Sequence, residues 1–132
     1  MLKTDKPVCL ITGLGDGTGG FTARRFAKAG YRIAMIARTR ARLIKFEKEL
    51  LCSKGYVCDV SDLNVLENTC KKIKDEMGAP EVLIHNAVKG NFEYLLNGNP
   101  EWLEKNFRIN TTSLMYLAHF LIPDMLYNNK GV

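Results

Sequence analysis

A chain of 132 residues, 46% hydrophobic and 25% charged, is long enough for one folded domain and too apolar for a disordered polymer. Its net charge of +5 raises the question of a polyanionic partner. However, the basic residues are scattered (Arg24, Arg25 and Lys28; Arg38, Arg40 and Arg42; Lys71, Lys72 and Lys74), so no nucleic-acid-binding stripe is expected.

In chain order, Val8–Ile11 is a short apolar run entering a cluster of glycines, as suits a strand buried on both faces. Phe21, Ala23, Phe26 and Ala27 then recur at helical spacing until Gly30. Tyr31–Ala37 reads as a second buried strand, and Arg40–Leu51 as an amphipathic helix with Leu43, Phe46 and Leu50 on one face. Gly55 and Tyr56–Cys58 make a third, shorter strand. Ser61-Asp62 offers a helix N-cap before Leu63, Leu66, Cys70, Ile73 and Met77, and Gly78-Ala79-Pro80 stops that helix. Glu81–His85 is a fourth strand, followed by a polar loop from Asn86 to Pro100. Two helices, Glu101–Phe107 and Asn110–Leu126, precede a turn at Asn128-Asn129-Lys130-Gly131, and Val132 begins a fifth strand.

Strand and helix alternate with crossovers long enough for parallel pairing, which predicts an α/β fold covered on both faces. Right-handed crossovers give the strand order 3-2-1-4, the front of a Rossmann-type doubly wound parallel sheet with its fifth strand only begun. Residues 1–132 thus read as the amino-terminal portion of one such domain, with no second domain. Cys9, Cys52, Cys58 and Cys70 form no C-x-x-C pair and have no histidine at ligand spacing, so no metal site is expected. Met1–Lys6 is too short and charged for a signal peptide, and no apolar run reaches the roughly 18 residues of a membrane span. A cytoplasmic protein with no membrane partner is the expectation.

The stretch Thr12-Gly13-Leu14-Gly15-Asp16-Gly17-Thr18-Gly19-Gly20 lies between the first strand and the first helix. Backbone that approaches a pyrophosphate closely cannot carry a Cβ, and the helix start offers free N–H groups and a positive dipole end to the anion. Dinucleotide enzymes that use NAD place a carboxylate about 20 residues on, where it accepts from the ribose 2′-hydroxyl. Here the corresponding residues are Ala37-Arg38. Arg38, with Arg40 beside it, predicts a bidentate fork for a 2′-phosphate and therefore NADP(H), with NAD as the alternative. Asp16, an acidic residue in the glycine loop, complicates this preference. The missing carboxylate also argues against a methyltransferase-like sheet.

The motif Thr12-Gly13-x-x-x-Gly17-x-Gly19 resembles that of the short-chain dehydrogenases/reductases, and further landmarks follow in order. Asp59-Val60 closes the third strand, where the family's Asp contacts adenine. Asn86-Ala87 follows the fourth strand and resembles the family's NNAG, although His85 replaces its first Asn and Val88 its Gly. Asn110 resembles the catalytic Asn, whose family role is to kink the long helix and hold a proton-relay water. Leu121-Ile122-Pro123-Asp124-Met125-Leu126 is similar to the segment before the fifth strand.

The resemblance implies a small-molecule carbonyl or alcohol substrate, a nicotinamide dinucleotide, and homo-oligomers formed through helices 101–126. The last of these helices is apolar almost all round. The family's proton donor is a Tyr-x-x-x-Lys pair assisted by a Ser, both later in the family pattern than Val132. None of Tyr31, Tyr56, Tyr94, Tyr116 and Tyr127 has a lysine four residues on. The chain therefore reads as a fragment of an oxidoreductase that is inactive alone; a non-catalytic half-length protein that binds a dinucleotide or pairs with another chain is the alternative.

Overall fold

The computed structural model describes residues 5–90 and 96–132; Tyr94 and the middle of the loop after the fourth strand lie outside them. Four parallel strands form one sheet: β1 (Val8–Thr12), β2 (Arg32–Ala37), β3 (Ser53–Val57) and β4 (Val82–His85). Their spatial order is β3-β2-β1-β4, as the sequence predicts. The connecting helices are α1 (Thr18–Lys28), α2 (Arg40–Glu49) and α3 (Leu63–Met77), with α4 (Pro100–Phe107) and α5 (Ser113–Tyr127) after β4.

Alternation along the strands divides the interior into two cores, because successive side chains leave opposite faces of a sheet. Cys9, Ile11, Ile33 and Met35 pack with Ala23 of α1 and with Leu43 and Phe46 of α2. Val8, Leu10, Ala34 and Ile36 pack on the other face with Leu66, Cys70 and Ile73 of α3 and Leu117 and Leu121 of α5. Helices on both faces explain why β1 is buried at every position and carries no polar alternation.

Local chemistry sets the helix ends. Asp62 caps α3, its carboxylate accepting from Val65 N–H at 3.1 Å. After α1 the chain turns at Gly30, whose φ of +93° suits glycine, while Tyr31 N–H returns to Phe26 O at 3.1 Å. At the other edge of the sheet, Val132 N–H donates to Glu81 O and Leu83 N–H donates to Val132 O, each at 2.9 Å. These bonds place Val132 beside β4, where the predicted fifth strand would begin.

Two elements differ from expectation. The third strand runs from Ser53 to Val57, not from Gly55 to Cys58, because ladder pairing to β2 extends from Ile33–Ser53 to Ala37–Val57 despite the polar start of SKGYV. The final helices are not separate. Phe107, Arg108, Thr112 and Ser113 all have right-handed helical dihedrals, so α4 runs into α5 through a π turn at Arg108–Thr112. Asn110 lies inside that turn and does not open a helix. One stripe of α5 is buried, whereas Leu114, Met115, Ile122 and Leu126 remain exposed.

Candidate functional site

A cleft of about 340 Å³ opens at the carboxyl ends of the strands, where β1 separates the crossover to β2 from the one that reaches β4. Such a reversal of strand order is where open α/β sheets place their ligands. Its walls come from the turns after all four strands and from Ile109 of the π turn.

The glycines of the first turn have separable roles. Gly13 has φ +68°, and a Cβ there would lie 2.5 Å from Ala87 N and Cα. Gly19 and Gly20 are filled against by the protein itself: added Cβ atoms would come within 2.8 Å of Gly13 O and 2.5 Å of Gly15 O respectively. Gly17 is different. Its φ is −81°, and a Cβ would meet nothing within 4 Å. It is the N-cap of α1, ahead of exposed Thr18, and has no side chain to cap the first amides. Gly15 lines the cleft, with only the Arg42 guanidinium near its virtual Cβ, at 4.0 Å.

At the end of β2 the structure divides the two predicted arginines. Arg38 lines the cleft; Arg40 does not. Arg40 donates to Glu47 at 2.9 and 3.2 Å and reaches Gly55 O at 3.4 Å, while Glu47 accepts from Gly55 N–H at 2.7 Å. It thus serves the outer strand β3. Arg42 lines the cleft instead. Two helical residues turn the chain by about 200°, so Arg40 and Arg42 leave opposite sides of α2. That period was the available signal for Arg42. Asp16 is exposed and pairs with Lys45, a hydrogen bond and charge that hold its carboxyl below the usual range, with Arg24 and Arg42 adding to the effect.

Asp59 and Val60 line the cleft after β3. Partial burial alone would raise the Asp59 carboxyl, but hydrogen bonds from Ser61 and the charges of Arg38 and Lys105 outweigh it and hold the group ionised below the usual range. Both Ser61 bonds, at 2.7 and 3.0 Å, end on Oδ1. Oδ2 has no protein partner among the described residues and remains available to a ligand.

Beyond β4, Asn86 Nδ2 donates to Gly13 O at 2.9 Å, and Ala87 N–H donates to Thr12 Oγ1 at 3.2 Å. Fully buried Thr12 therefore supports the loop from beneath. Val88 and Lys89 both line the cleft, Val88 highly exposed. Asn110 grips the Lys89 backbone from both sides: its Oδ1 accepts from Lys89 N–H and its Nδ2 donates to Lys89 O, each at 2.8 Å. The sequence reading assigned no place to Leu14, Arg42, Lys89 or Ile109, and it saw in His85 only a departure from a motif. With Arg38, Arg42 and Lys89 against Asp59, the cleft favours an anion.

His85 itself bonds to Thr12 and Ile109. Burial lowers its imidazole below the ordinary 6.5, partly opposed by the Ile109 carbonyl. The unfolded chain therefore takes up this proton first. The stability that the neutral ring contributes is complete above about 6.5 and is lost as the pH falls through the lower folded value. Thermal unfolding between pH 7 and 5 should thus fall more steeply for the native chain than for His85→Asn. Parallel curves would show that the ring does not titrate in this way.

Comparison with known proteins matches residues 7–132 to the family described as short chain dehydrogenase. Estradiol 17-beta-dehydrogenase 11 of Mus musculus is 29% identical over 132 residues, covering 94% of this chain and 43% of the relative. Short-chain dehydrogenase/reductase 3 of Bos taurus is 28% identical, with 92% and 42% covered. Among solved structures, a short-chain dehydrogenase from Streptomyces avermitilis superposes with a TM-score of 0.90 at 21% identity, covering 96% of this chain and 47% of that one. A metagenomic short-chain oxidoreductase in complex with NADP gives a TM-score of 0.90 at 24% identity, with 95% and 59% covered. The chain thus spans less than half the length of these two curated relatives.

Proposed function

Since the chain belongs to the short-chain dehydrogenase family, we propose that it forms the cofactor-binding part of an NADP(H)-dependent oxidoreductase acting on a carbonyl/alcohol pair. The bound nicotinamide would supply the hydride chemistry. The residues lining the cleft fit the rest of that cofactor. Gly17 carries this reading: a Cβ there would meet no protein atom within 4 Å, so no packed neighbour gives a reason for glycine at the start of α1. A diphosphate supplies the reason, because amides of the first helical turn lack partners and attract an anion. Asp59 keeps one carboxylate oxygen for the adenosine end. Arg38 and Arg42, with no carboxylate at the end of β2, favour a 2′-phosphate over a bare 2′-hydroxyl. Asp16 does not cancel that preference, since Lys45 neutralises it.

The test is a pair of measurements on Gly17→Ala. The substitution should cost about 1 kcal/mol of stability or less, the usual scale at an N-cap. NADPH affinity should fall at least about tenfold, since a Cβ and a diphosphate compete for one space. Equal affinity in the two proteins would remove the diphosphate from this turn.

Asn110, held against Lys89, is the one catalytic-type residue of the family pattern in this chain. The 132-residue chain should therefore bind NADPH without oxidising it in the presence of aldehydes or ketones, because it has no Tyr-x-x-x-Lys donor. Turnover that disappears on Asn110→Ala would contradict this. The exposed apolar residues of α4 and α5, including Phe107, Met115 and Ile122, support pairing with a second copy.

A further inference from the structure

His85 makes more bonds than a strand-end residue requires. Nδ1 lies 2.9 Å from Thr12 Oγ1, and Nε2 lies 2.9 Å from Ile109 O. A carbonyl oxygen only accepts, so Nε2 carries the ring proton and Nδ1 is the acceptor. The Thr12 hydroxyl proton is then directed at His85, which leaves its oxygen to accept Ala87 N–H.

The other partner is equally specific. Ile109 O belongs to the π turn and also accepts the Ser113 hydroxyl at 2.6 Å. Ser113 Oγ lies 3.3 Å from the same imidazole nitrogen, so buried Ser113 closes the group. Asn110, the next residue along, holds Lys89 through its backbone N–H and carbonyl. One imidazole therefore connects the strand end that begins the glycine turn, the 86–89 loop and the π turn. None of these hydrogen bonds reaches Arg38, Arg42 or Asp59.

We propose that His85 is a positioning residue for the nicotinamide half of the dinucleotide, fixing the 86–89 loop and Asn110 relative to the glycine turn through Thr12 and Ile109. This rests on the dinucleotide reading above. An amide at this position offers one short donor–acceptor group, whereas the ring spans from β1 to the π turn with a nitrogen at each end. The tautomer is part of the device, since a proton on Nδ1 would turn the Thr12 hydroxyl away.

Two ligands separate the halves of the proposed site: NADPH, which carries both, and adenosine 2′,5′-bisphosphate, which has no nicotinamide. Both are titrated by calorimetry into the native chain, His85→Phe and Thr12→Val. Each variant should bind NADPH about tenfold more weakly, the scale of one or two lost hydrogen bonds. Binding of the bisphosphate should stay within about twofold of native. Thr12→Val keeps a β-branched side chain of the same shape and decides the matter if His85→Phe does not fold. Loss of both ligands in step, or of neither, overturns the positioning role. If the native chain binds neither ligand, the dinucleotide reading fails and this inference fails with it; native binding with an unchanged ratio in the variants overturns this inference alone.

Discussion

Gly13→Ala is expected to destabilise the fold by about 4 kcal/mol, the sum of a left-handed backbone penalty and severe overpacking. The φ of +68° is one cost for an L-residue. The larger cost is space, since the new methyl would lie 2.5 Å from Ala87 N and Cα and 2.7 Å from the Asn86 carbonyl carbon. These atoms are backbone, and they are held in place. Asn86 is bonded to Gly13 O, and Ala87 to buried Thr12. The loop cannot withdraw without breaking both bonds, so the strain has no cheap outlet. Small domains have a total stability of about 5–15 kcal/mol, so this one methyl should remove a large share of it. Urea unfolding with circular dichroism would measure the loss. A change below about 1 kcal/mol would mean that the turn and the 86–89 loop are not packed as described.

Arg38→Asp should raise the Kd for NADPH about 100-fold while changing that for NADH by less than about threefold. A charge-assisted fork is lost, and a carboxylate is placed against a phosphate; with NADH, the same carboxylate meets a hydroxyl that it can accept from. Arg42 shares the cleft wall, so Arg42→Ala should weaken NADPH binding by about tenfold. Arg40→Ala provides the contrast: its guanidinium is committed to Glu47 and Gly55 O, and NADPH binding should be unchanged. Equal losses of NADPH and NADH for Arg38→Asp would count against a 2′-phosphate at the end of β2. A loss with Arg40→Ala would return that residue to the site.

The strand order and most helix limits were legible because buried parallel strands and one-sided helices leave distinct apolar periods. Val8–Ile11 and Ile33–Ala37 are continuous apolar runs, whereas Ser53–Val57 owes its extent to the ladder with β2, which leaves no apolar signature. The glycine turn was visible as a motif, but its division of labour was not. Spacing alone does not distinguish Gly19 and Gly20, excluded from side chains by neighbouring protein atoms, from Gly17, which faces open space. Arg40 and Arg42 look alike in one dimension and part only when helical phase is applied. The π turn escaped notice because Arg108–Thr112 differs from an ordinary helix by where its carbonyls find partners. One of those carbonyls, Ile109 O, is bonded by residues 24 positions before and four after it. The mutual placement of Thr12, His85 and Asn110 depends on such long-range bonds, which no local pattern announces.

In the proposed function, the turn Gly13–Gly19 at the start of α1 receives the cofactor's diphosphate. Amide chemical shifts of the isotopically labelled chain, followed during NADPH titration, test it most directly. Saturable shifts are expected at Gly15, Gly17 and Thr18, with companions at Arg38, Asp59 and Ala87. Saturable binding that leaves those glycine amides in place, or no binding by the folded chain, would contradict it.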